Sequence, residues 1–243
     1  MNDFFTGLQF LTRIRLVKQT DWSPESFGRS VKYFTSIGAI IGLILAGLYY
    51  ILSQFLPYHV LAAVLIVAEI ILTGGLHCDG FMDTADGVFS GRSRERMLEI
   101  MKDSRVGANG VVAFGLLILL KYSLIIDMPP TMLLPALVVM PVAGRTAMVI
   151  SITSFAYARP DGMGKAFAEY ANRTTLCIAA IVSTAVVIPF GIQAAISAGG
   201  AVLAGIAAAR YLASVLGGLT GDTYGAITEF TELIALLIFV LYY

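Results

Sequence analysis

The run FTSIGAIIGLILAGLYYILSQFL, residues 34–56, contains no charged side chain over 23 residues. About 20 apolar residues in a helix span the hydrocarbon core of a bilayer, so this run is long enough to cross a membrane. Further stretches of the same character follow it along the chain. They cover residues 60–76, 111–126, 132–154, 176–193, 198–216 and 226–243. The sequence therefore predicts an all-α, polytopic integral membrane bundle with about seven transmembrane helices.

The composition supports the same class of protein. Hydrophobic residues make up 58% of the chain, charged residues only 13%, and the mean hydropathy is +0.83. An ordinary soluble domain has about 25% charged residues, so a soluble fold is excluded. Basic and acidic residues balance at 16 each, which argues against nucleic acid as a partner. No repeat or linker interrupts the chain, and we predict one membrane domain over residues 1–243 that has the lipid bilayer as a partner.

Lysine and arginine lie at alternate connections between the predicted spans. They are frequent near the N-terminus and in segments 77–110 and 155–175, whereas segments 57–59, 127–131 and 194–197 contain none. Basic connections face the cytosol under the positive-inside rule. We therefore expect a cytosolic N-terminus and, with an odd number of spans, a C-terminus on the opposite side.

The segment from His77 to Arg105 is polar and acidic, and apolar runs lie on both sides of it. Asp79, Asp83 and Asp86 have the spacing i, i+4, i+7, which places their carboxylates on one face of a helix. No cation lies among them, so the carboxylates would repel each other. A hard divalent cation such as Mg²⁺ prefers oxygen ligands and would relieve this repulsion. We predict a cytosol-facing Mg²⁺ site in which these aspartates are ligands.

A second acidic set follows, in which Glu95, Glu99 and Asp103 repeat at i, i+4, i+8. If this stretch is helical, Glu99 and Asp103 would share a face and complete the metal site. Lys102 and Arg105 would then neutralise phosphate oxygens, as expected for attack on a phosphoanhydride. The alternative is a solvated hairpin in which glutamates pair with arginines.

The acceptor of such a reaction needs a general base. His77 is adjacent to the aspartates and is one candidate, although a histidine beside a glycine turn is as often a structural hydrogen-bonding residue. A carboxylate of the cluster is the other candidate. We therefore predict His77, Asp83 and Asp86 as catalytic residues.

Charged residues also occur inside the apolar runs, where each is costly unless it is paired or lines a wet cavity. We predict that Arg145 and Arg210 line a polar cavity and that Arg145 binds substrate. An internal ion pair is the alternative for both. Lys121 lies late in its span, so we expect its amino group to reach the membrane surface. Glu69 has no assigned role.

Part of the acidic pattern resembles the membrane CDP-alcohol phosphotransferases, namely Asp83-x-x-Asp86-Gly87 followed by Glu99-x-x-x-Asp103. Val88-Phe89-Ser90 stands where that family has Ala-Arg after the glycine. A closer resemblance, to the cobalamin synthase family, covers nearly the whole chain. Its blocks are residues 7–13 (GLQFLTR), 77–87 (HCDGFMDTADG), 96–107 (RMLEIMKDSRVG) and 217–226 (GGLTGDTYGA).

The cobalamin synthase resemblance implies an adenosylcobinamide-GDP ribazoletransferase in the bacterial cytoplasmic (inner) membrane. In that reaction adenosylcobinamide-GDP and α-ribazole, or its 5′-phosphate, are joined and GMP is released. The resemblance also implies Mg²⁺ as cofactor and favours a substrate-binding role for Asp222. A homo-oligomer or a complex with other proteins of B12 synthesis is a further expected partner.

Other functions remain as alternatives: a membrane transporter with a charged midplane site, another CDP-alcohol-type phosphotransferase, and a structural subunit of a B12 assembly. The location of the acidic residues discriminates between them. A carrier concentrates its charges at the midplane, whereas this chain has its densest acidic cluster in a connection between spans.

Overall fold

The computed structural model describes residues 2–19 and 22–242, and these residues are almost entirely helical. The only β pairing among them is an isolated parallel bridge between Tyr157 and Leu219. Short 3₁₀ turns occur at Val31–Tyr33 and Ile188–Phe190. The α-helices are α1 Asn2–Leu11, α2 Pro24–Ser30, α3 Phe34–Leu52, α4 Tyr58–Thr73, α5 Leu76–Val88, α6 Arg94–Ile100, α7 Ala108–Asp127, α8 Pro130–Ser154, α9 Met163–Tyr170, α10 Arg173–Val187, α11 Ile192–Leu216 and α12 Gly221–Leu241. The predicted all-α class is confirmed.

Six helices of the described chain are long and apolar enough to cross a membrane: α2 and α3 together, α7, α8, α10, α11 and α12. Helices α4 and α5 pass the same test only as a pair, and they are bent by 91° relative to each other. If that pair counts as one span, the number is seven. The prediction of a multi-pass membrane protein with about seven spans is confirmed.

Helix α8 is the central element of the bundle. It packs against α3, α10, α11 and α12. Most of its residues are buried, for example Ala136 and Leu137. Its sequence is apolar on nearly every side except at Arg145, as expected for a helix surrounded by other helices. The charged side chain at Arg145 therefore lies inside protein rather than in lipid.

Helix α5 leaves the end of α4 through two glycines. Gly74 and Gly75 have φ of +67° and +70°, a left-handed conformation that other residues adopt only with strain. The chain turns there, and α5 then packs against α12 and α7.

The contact between α5 and α12 is close because it is made through glycine. A Cβ atom on Gly80 would lie 2.6 Å from the Asp222 carbonyl oxygen, so only hydrogen fits at this position. This contact places the acidic face of α5 beside the first turn of α12. Together with the loops that surround them, these residues form the acidic end of the bundle (residues 76–107, 155–162 and 217–222).

A network of buried charges joins the helices below this end. Lys121 on α7 is 2% exposed, and its Nζ lies 3.2 Å from Glu69, 2.8 Å from Glu229 and 2.9 Å from Glu232. Glu232 also pairs with Arg145. The prediction that Lys121 reaches the membrane surface was wrong, because three carboxylates from α4 and α12 surround its amino group and offset the cost of burial.

The two arginines predicted to line a polar cavity differ in the structure. Arg145 is 1% exposed and makes the internal ion pair with Glu232, which was the alternative considered for it. Arg210 is exposed on α11 and has no ion pair among the described residues, so its assignment to a polar cavity was wrong. The sequence could not separate these cases, since both arginines occur in the middle of apolar runs.

We predict that Lys121→Met lowers the free energy of unfolding by about 3 kcal/mol or more, because three buried carboxylates lose their shared cation. Thermal unfolding of the purified protein in detergent measures this effect. Lys165→Met is the matched control, since Lys165 is exposed on α9 and its ion pair with Glu169 is long, at 3.9 Å. Equal unfolding temperatures for the two variants would contradict a stabilising role for the network.

Candidate functional site at the acidic end

Asp79, Asp83 and Asp86 all lie on α5, as predicted from their spacing. Asp79 is exposed and Asp83 is half-buried. Neither of these two side chains has a hydrogen bond or an ion pair within the described residues. They line a cavity of about 250 Å³ together with Lys102 and Asp103. The structure therefore places two unpaired carboxylates in the same cavity as a lysine.

Asp86 has a different environment from its neighbours. It is buried, and its two carboxylate oxygens accept hydrogen bonds from the backbone N–H groups of Gly107, at 2.7 Å, and Gly110, at 2.8 Å. These N–H groups belong to the first turn of α7, where a helix has unpaired donors and a positive dipole end. The predicted metal and catalytic roles of Asp86 stay predictions, while the contacts observed are those of a helix cap.

The second acidic set does not form one helical face. Helix α6 ends at Ile100, so Asp103 lies in the following loop, and the predicted i, i+4, i+8 arrangement was wrong. The chain turns after Ile100 because Met101 is buried against α5 at Gly87. Glu99 pairs with Arg96 at 2.7 Å, and both side chains are exposed. For Glu99 this is the solvated pairing that was the alternative to a metal ligand.

Asp103 and Arg105 form a two-point contact on the surface. Arg105 donates from Nε and Nη2 to the two carboxylate oxygens at 3.1 and 2.7 Å, and its backbone N–H donates at 3.0 Å. These hydrogen bonds hold the pKa of Asp103 at about 2. The same contact raises the pKa of Arg105. The Arg105 side chain is 87% exposed, and it lies beside the cavity that Asp103 lines.

Asp222 is in the first turn of α12, where Thr220 and Thr223 form a capping box. It lines a smaller cavity of about 110 Å³ together with Asp79, Phe10 and Phe167. The structure thus brings Asp222 next to the acidic face of α5. This juxtaposition depends on the close α5–α12 contact described above.

Arg159 is a cation of this site that the sequence analysis did not single out. Its Nη2 lies 2.8 Å from Asp222 Oδ2, and its side chain is 11% exposed. The available signal was its place in the basic connection 155–175, but nothing in the sequence indicated that this loop contacts α12.

His77 is in the first turn of α5 and is 2% exposed. Its Nδ1 lies 3.1 Å from Nη2 of Arg145 and must accept that hydrogen bond, since an arginine only donates. The ring proton is therefore assigned to Nε2, which leaves no free lone pair on the ring. This geometry favours the structural alternative for His77, and its catalytic role stays a prediction.

The predicted residues therefore fall into three places. Asp79, Asp83, Lys102 and Asp103 surround the larger cavity at the acidic end, with Asp222 adjacent through Asp79. Arg145 lies in the buried network. Asp86, Glu99 and Arg105 line a separate cavity of about 120 Å³ that shares Asp103 with the first.

No group of three or more His, Cys, Asp or Glu side chains in the described part of the chain is already arranged to hold a metal ion. Mg²⁺ is usually bound by only one or two carboxylates, with waters and substrate phosphates as its other ligands. The unpaired carboxylates of Asp79 and Asp83 fit that mode of binding.

Comparisons with known proteins identify the family to which this chain belongs. A family model described as cobalamin-5-phosphate synthase matches residues 3–240. A protein of Acetivibrio thermocellus named adenosylcobinamide-GDP ribazoletransferase is 39% identical over 96% of this chain and 95% of its own length. Proteins with the same name from Desulforamulus reducens and Brevibacillus brevis are 41% and 37% identical, over 86% and 99% of this chain and 84% and 98% of their own lengths.

No solved structure matches this chain significantly. The family match covers nearly the entire sequence, and it includes both the acidic helix α5 and the first turn of α12. The chain therefore belongs to the cobalamin-5-phosphate synthase family.

Proposed function

We propose that this protein is an adenosylcobinamide-GDP ribazoletransferase that acts with Mg²⁺ at the cytosolic face of the bacterial inner membrane. The observation that carries the chemical part of this proposal is the pair of unpaired carboxylates, Asp79 and Asp83, which line one cavity together with Lys102. Family membership and the shared name of the relatives supply the substrates. Those substrates are adenosylcobinamide-GDP and α-ribazole or its 5′-phosphate.

The reaction joins the two substrates through phosphorus. A hydroxyl group of the ribazole attacks the phosphorus that carries the cobinamide, and a new oxygen–phosphorus bond forms. The bond from that phosphorus to the bridging oxygen breaks, and GMP leaves with the bridging oxygen. The proton of the attacking hydroxyl must pass to a base.

The carboxylates of Asp79 and Asp83 would hold Mg²⁺, and Asp103 lines the same cavity as a further oxygen donor. When bound, Mg²⁺ would neutralise charge on the phosphoanhydride and polarise its phosphorus–oxygen bonds. Lys102 would bind a phosphate oxygen in that cavity, and Arg105 would contact the departing GMP beside it. Both cations stabilise negative charge that grows as the bridging bond breaks.

The hydroxyl proton would pass to a carboxylate of the α5 pair rather than to His77. Nδ1 of His77 already accepts a hydrogen bond from Arg145, and the imidazole is buried. Asp83 has no such partner and is half-buried beside the cavity. It is therefore the better candidate for the general base.

A membrane transporter is the alternative function that one observation favours, since the bundle contains a dense group of buried charges. However, Lys121 and its three carboxylate partners are paired within 3.2 Å, and none of them lines the cavities of the acidic end described above. A carrier requires its charged site to open to water on each side in turn. The closed network favours the enzyme.

We predict that Asp79→Asn and Asp83→Asn each lower GMP formation roughly a hundredfold or more, because each removes a negative ligand from the phosphoanhydride site. The measurement is GMP released per protein from adenosylcobinamide-GDP and ribazole phosphate in detergent, over a range of Mg²⁺ concentrations. Asp127→Asn is the matched control, since Asp127 is exposed at the far end of α7. Near wild-type activity of either site variant at ordinary Mg²⁺ would place the site elsewhere.

Arg105 tests the contact with the leaving group. We predict that Arg105→Ala lowers GMP formation about tenfold or more and that Arg105→Lys has a smaller effect, because lysine keeps the charge but not the planar fork. Removing Arg105 would let the pKa of Asp103 rise from about 2 towards its ordinary value near 4, and Asp103 would remain ionised at pH 7.

The loss in Arg105→Ala should therefore be the same at pH 6.5 and at pH 8 (roughly the working range for a neutral-pH enzyme). A wild-type rate for Arg105→Ala would mean that this arginine is only a solvated charge at the surface.

The proposed orientation is tested by reporter fusions to the full-length chain and its truncations. We predict that reporters placed in segments 89–93 and 155–162 report a cytosolic location and that reporters at 128–129 report the opposite side. The physical reason is the concentration of lysine and arginine at the acidic end. A non-cytosolic location of segment 89–93 would remove access to cytosolic nucleotide substrates and refute the mechanism.

A further inference from the structure

Arg159 is a largely buried cation at the acidic end that the mechanism above does not use. Its position is set by the backbone, since Ala158 N–H donates to the Leu219 carbonyl at 2.8 Å and Leu219 N–H donates to the Ala156 carbonyl at 2.8 Å. These hydrogen bonds join the loop after α8 to the segment that leads into α12. The side chain therefore extends towards Asp222 from a fixed point.

The guanidinium of Arg159 has a donor without an acceptor. Nη2 lies 2.8 Å from Asp222 Oδ2 and pairs with that carboxylate. Nε is buried and has no hydrogen-bond acceptor in the described residues. Arginine carries five N–H donors in a planar fork, and a buried donor without an acceptor is destabilising. An oxyanion beside Arg159 would satisfy it.

The neighbouring charges limit which anion this is. The positive charge of Arg159 acts on Asp83 as well as on Asp222. Asp79 lines the cavity that contains Asp222 and also the cavity that contains Lys102. The carboxylates of the proposed metal site therefore lie near two cations, Lys102 and Arg159. A diphosphate held by those carboxylates through a cation would have a basic residue available to each of its phosphates.

We propose that Arg159 is a substrate-binding residue that contacts an oxygen of the donor phosphate that leaves with GMP. This inference rests on the proposed function and adds to it a residue that makes directed contacts with the donor. Arg159 differs from Arg105 in being preorganised, since Arg105 is 87% exposed whereas Arg159 is 11% exposed. Preorganised donors lose less freedom when they bind.

The alternative is that Arg159 serves only as the counter-ion of Asp222. In that case a lysine at position 159, which keeps the charge beside Asp222, would be as good as arginine. The planar fork of arginine matters only if it donates to a second group.

The experiment uses the full-length protein in detergent with Mg²⁺ and compares wild type, Arg159→Ala, Arg159→Lys and Arg173→Ala. Arg173 is the matched control because it is an exposed arginine in the first turn of α10. The measurements are the KM for adenosylcobinamide-GDP, the KM for ribazole phosphate, the unfolding temperature, and GMP binding by isothermal titration.

We expect Arg159→Ala to raise the donor KM and weaken GMP binding about tenfold or more, with little change in the acceptor KM. Arg159→Lys should keep the wild-type unfolding temperature and still lose donor affinity, and Arg173→Ala should behave as wild type. Wild-type donor KM and GMP binding in Arg159→Lys would overturn the proposal, including the case in which Arg159→Ala does not fold. An equal rise of both KM values with a lower unfolding temperature would overturn it too.

The outcome also separates this inference from the proposed function. If the wild-type protein forms no GMP, the proposed function fails, and GMP binding to the variants still decides the role of Arg159. If the wild-type protein is active and Arg159→Lys binds GMP as well as wild type does, only the inference about Arg159 fails.

Discussion

The amino group of Lys121 and the carboxylates around it hold the acidic end in place. Lys121 on α7 contacts Glu69 on α4 and both Glu229 and Glu232 on α12. Glu232 continues the network to Arg145 on the central helix α8. Removing Lys121 or Arg145 would leave buried carboxylates without a cation, which costs several kcal/mol. The relative positions of these four helices are therefore strongly specified.

The network extends from the core to the helix that carries the acidic residues. Arg145 donates to Nδ1 of His77, and Cys78 Sγ donates to Glu229 at 3.4 Å, so the first turn of α5 is attached to α8 and α12. At the other end of α5, Asp86 accepts hydrogen bonds from the first turn of α7. Asp79 and Asp83 lie between these two anchored ends. A rigid support of this kind holds reactive groups in position better than a mobile loop does.

The charges at the acidic end come from parts of the chain that are far apart. Helices α5 and α12 contribute Asp79, Asp83 and Asp222. The loop after α6 contributes Asp103 together with Lys102 and Arg105, and the loop after α8 contributes Arg159. The proposed substrate, a phosphoanhydride that binds with a divalent cation, presents both signs of charge, and a surface with both carboxylates and cations is complementary to it.

The sequence by itself determined the membrane class, the approximate number of spans and the shared helical face of Asp79, Asp83 and Asp86. These features depend on hydropathy and on spacing within one helix, which are local properties. The tertiary structure decided which charges meet. It placed Lys121 among glutamates from other helices and paired Asp222 with Arg159. It also placed Asp86 where its carboxylate accepts hydrogen bonds at the start of α7. It also ended α6 at Ile100, because Met101 packs against α5 and separates Asp103 from Glu95 and Glu99. Some of these contacts join residues more than a hundred positions apart along the chain. No periodicity within a single segment encodes them.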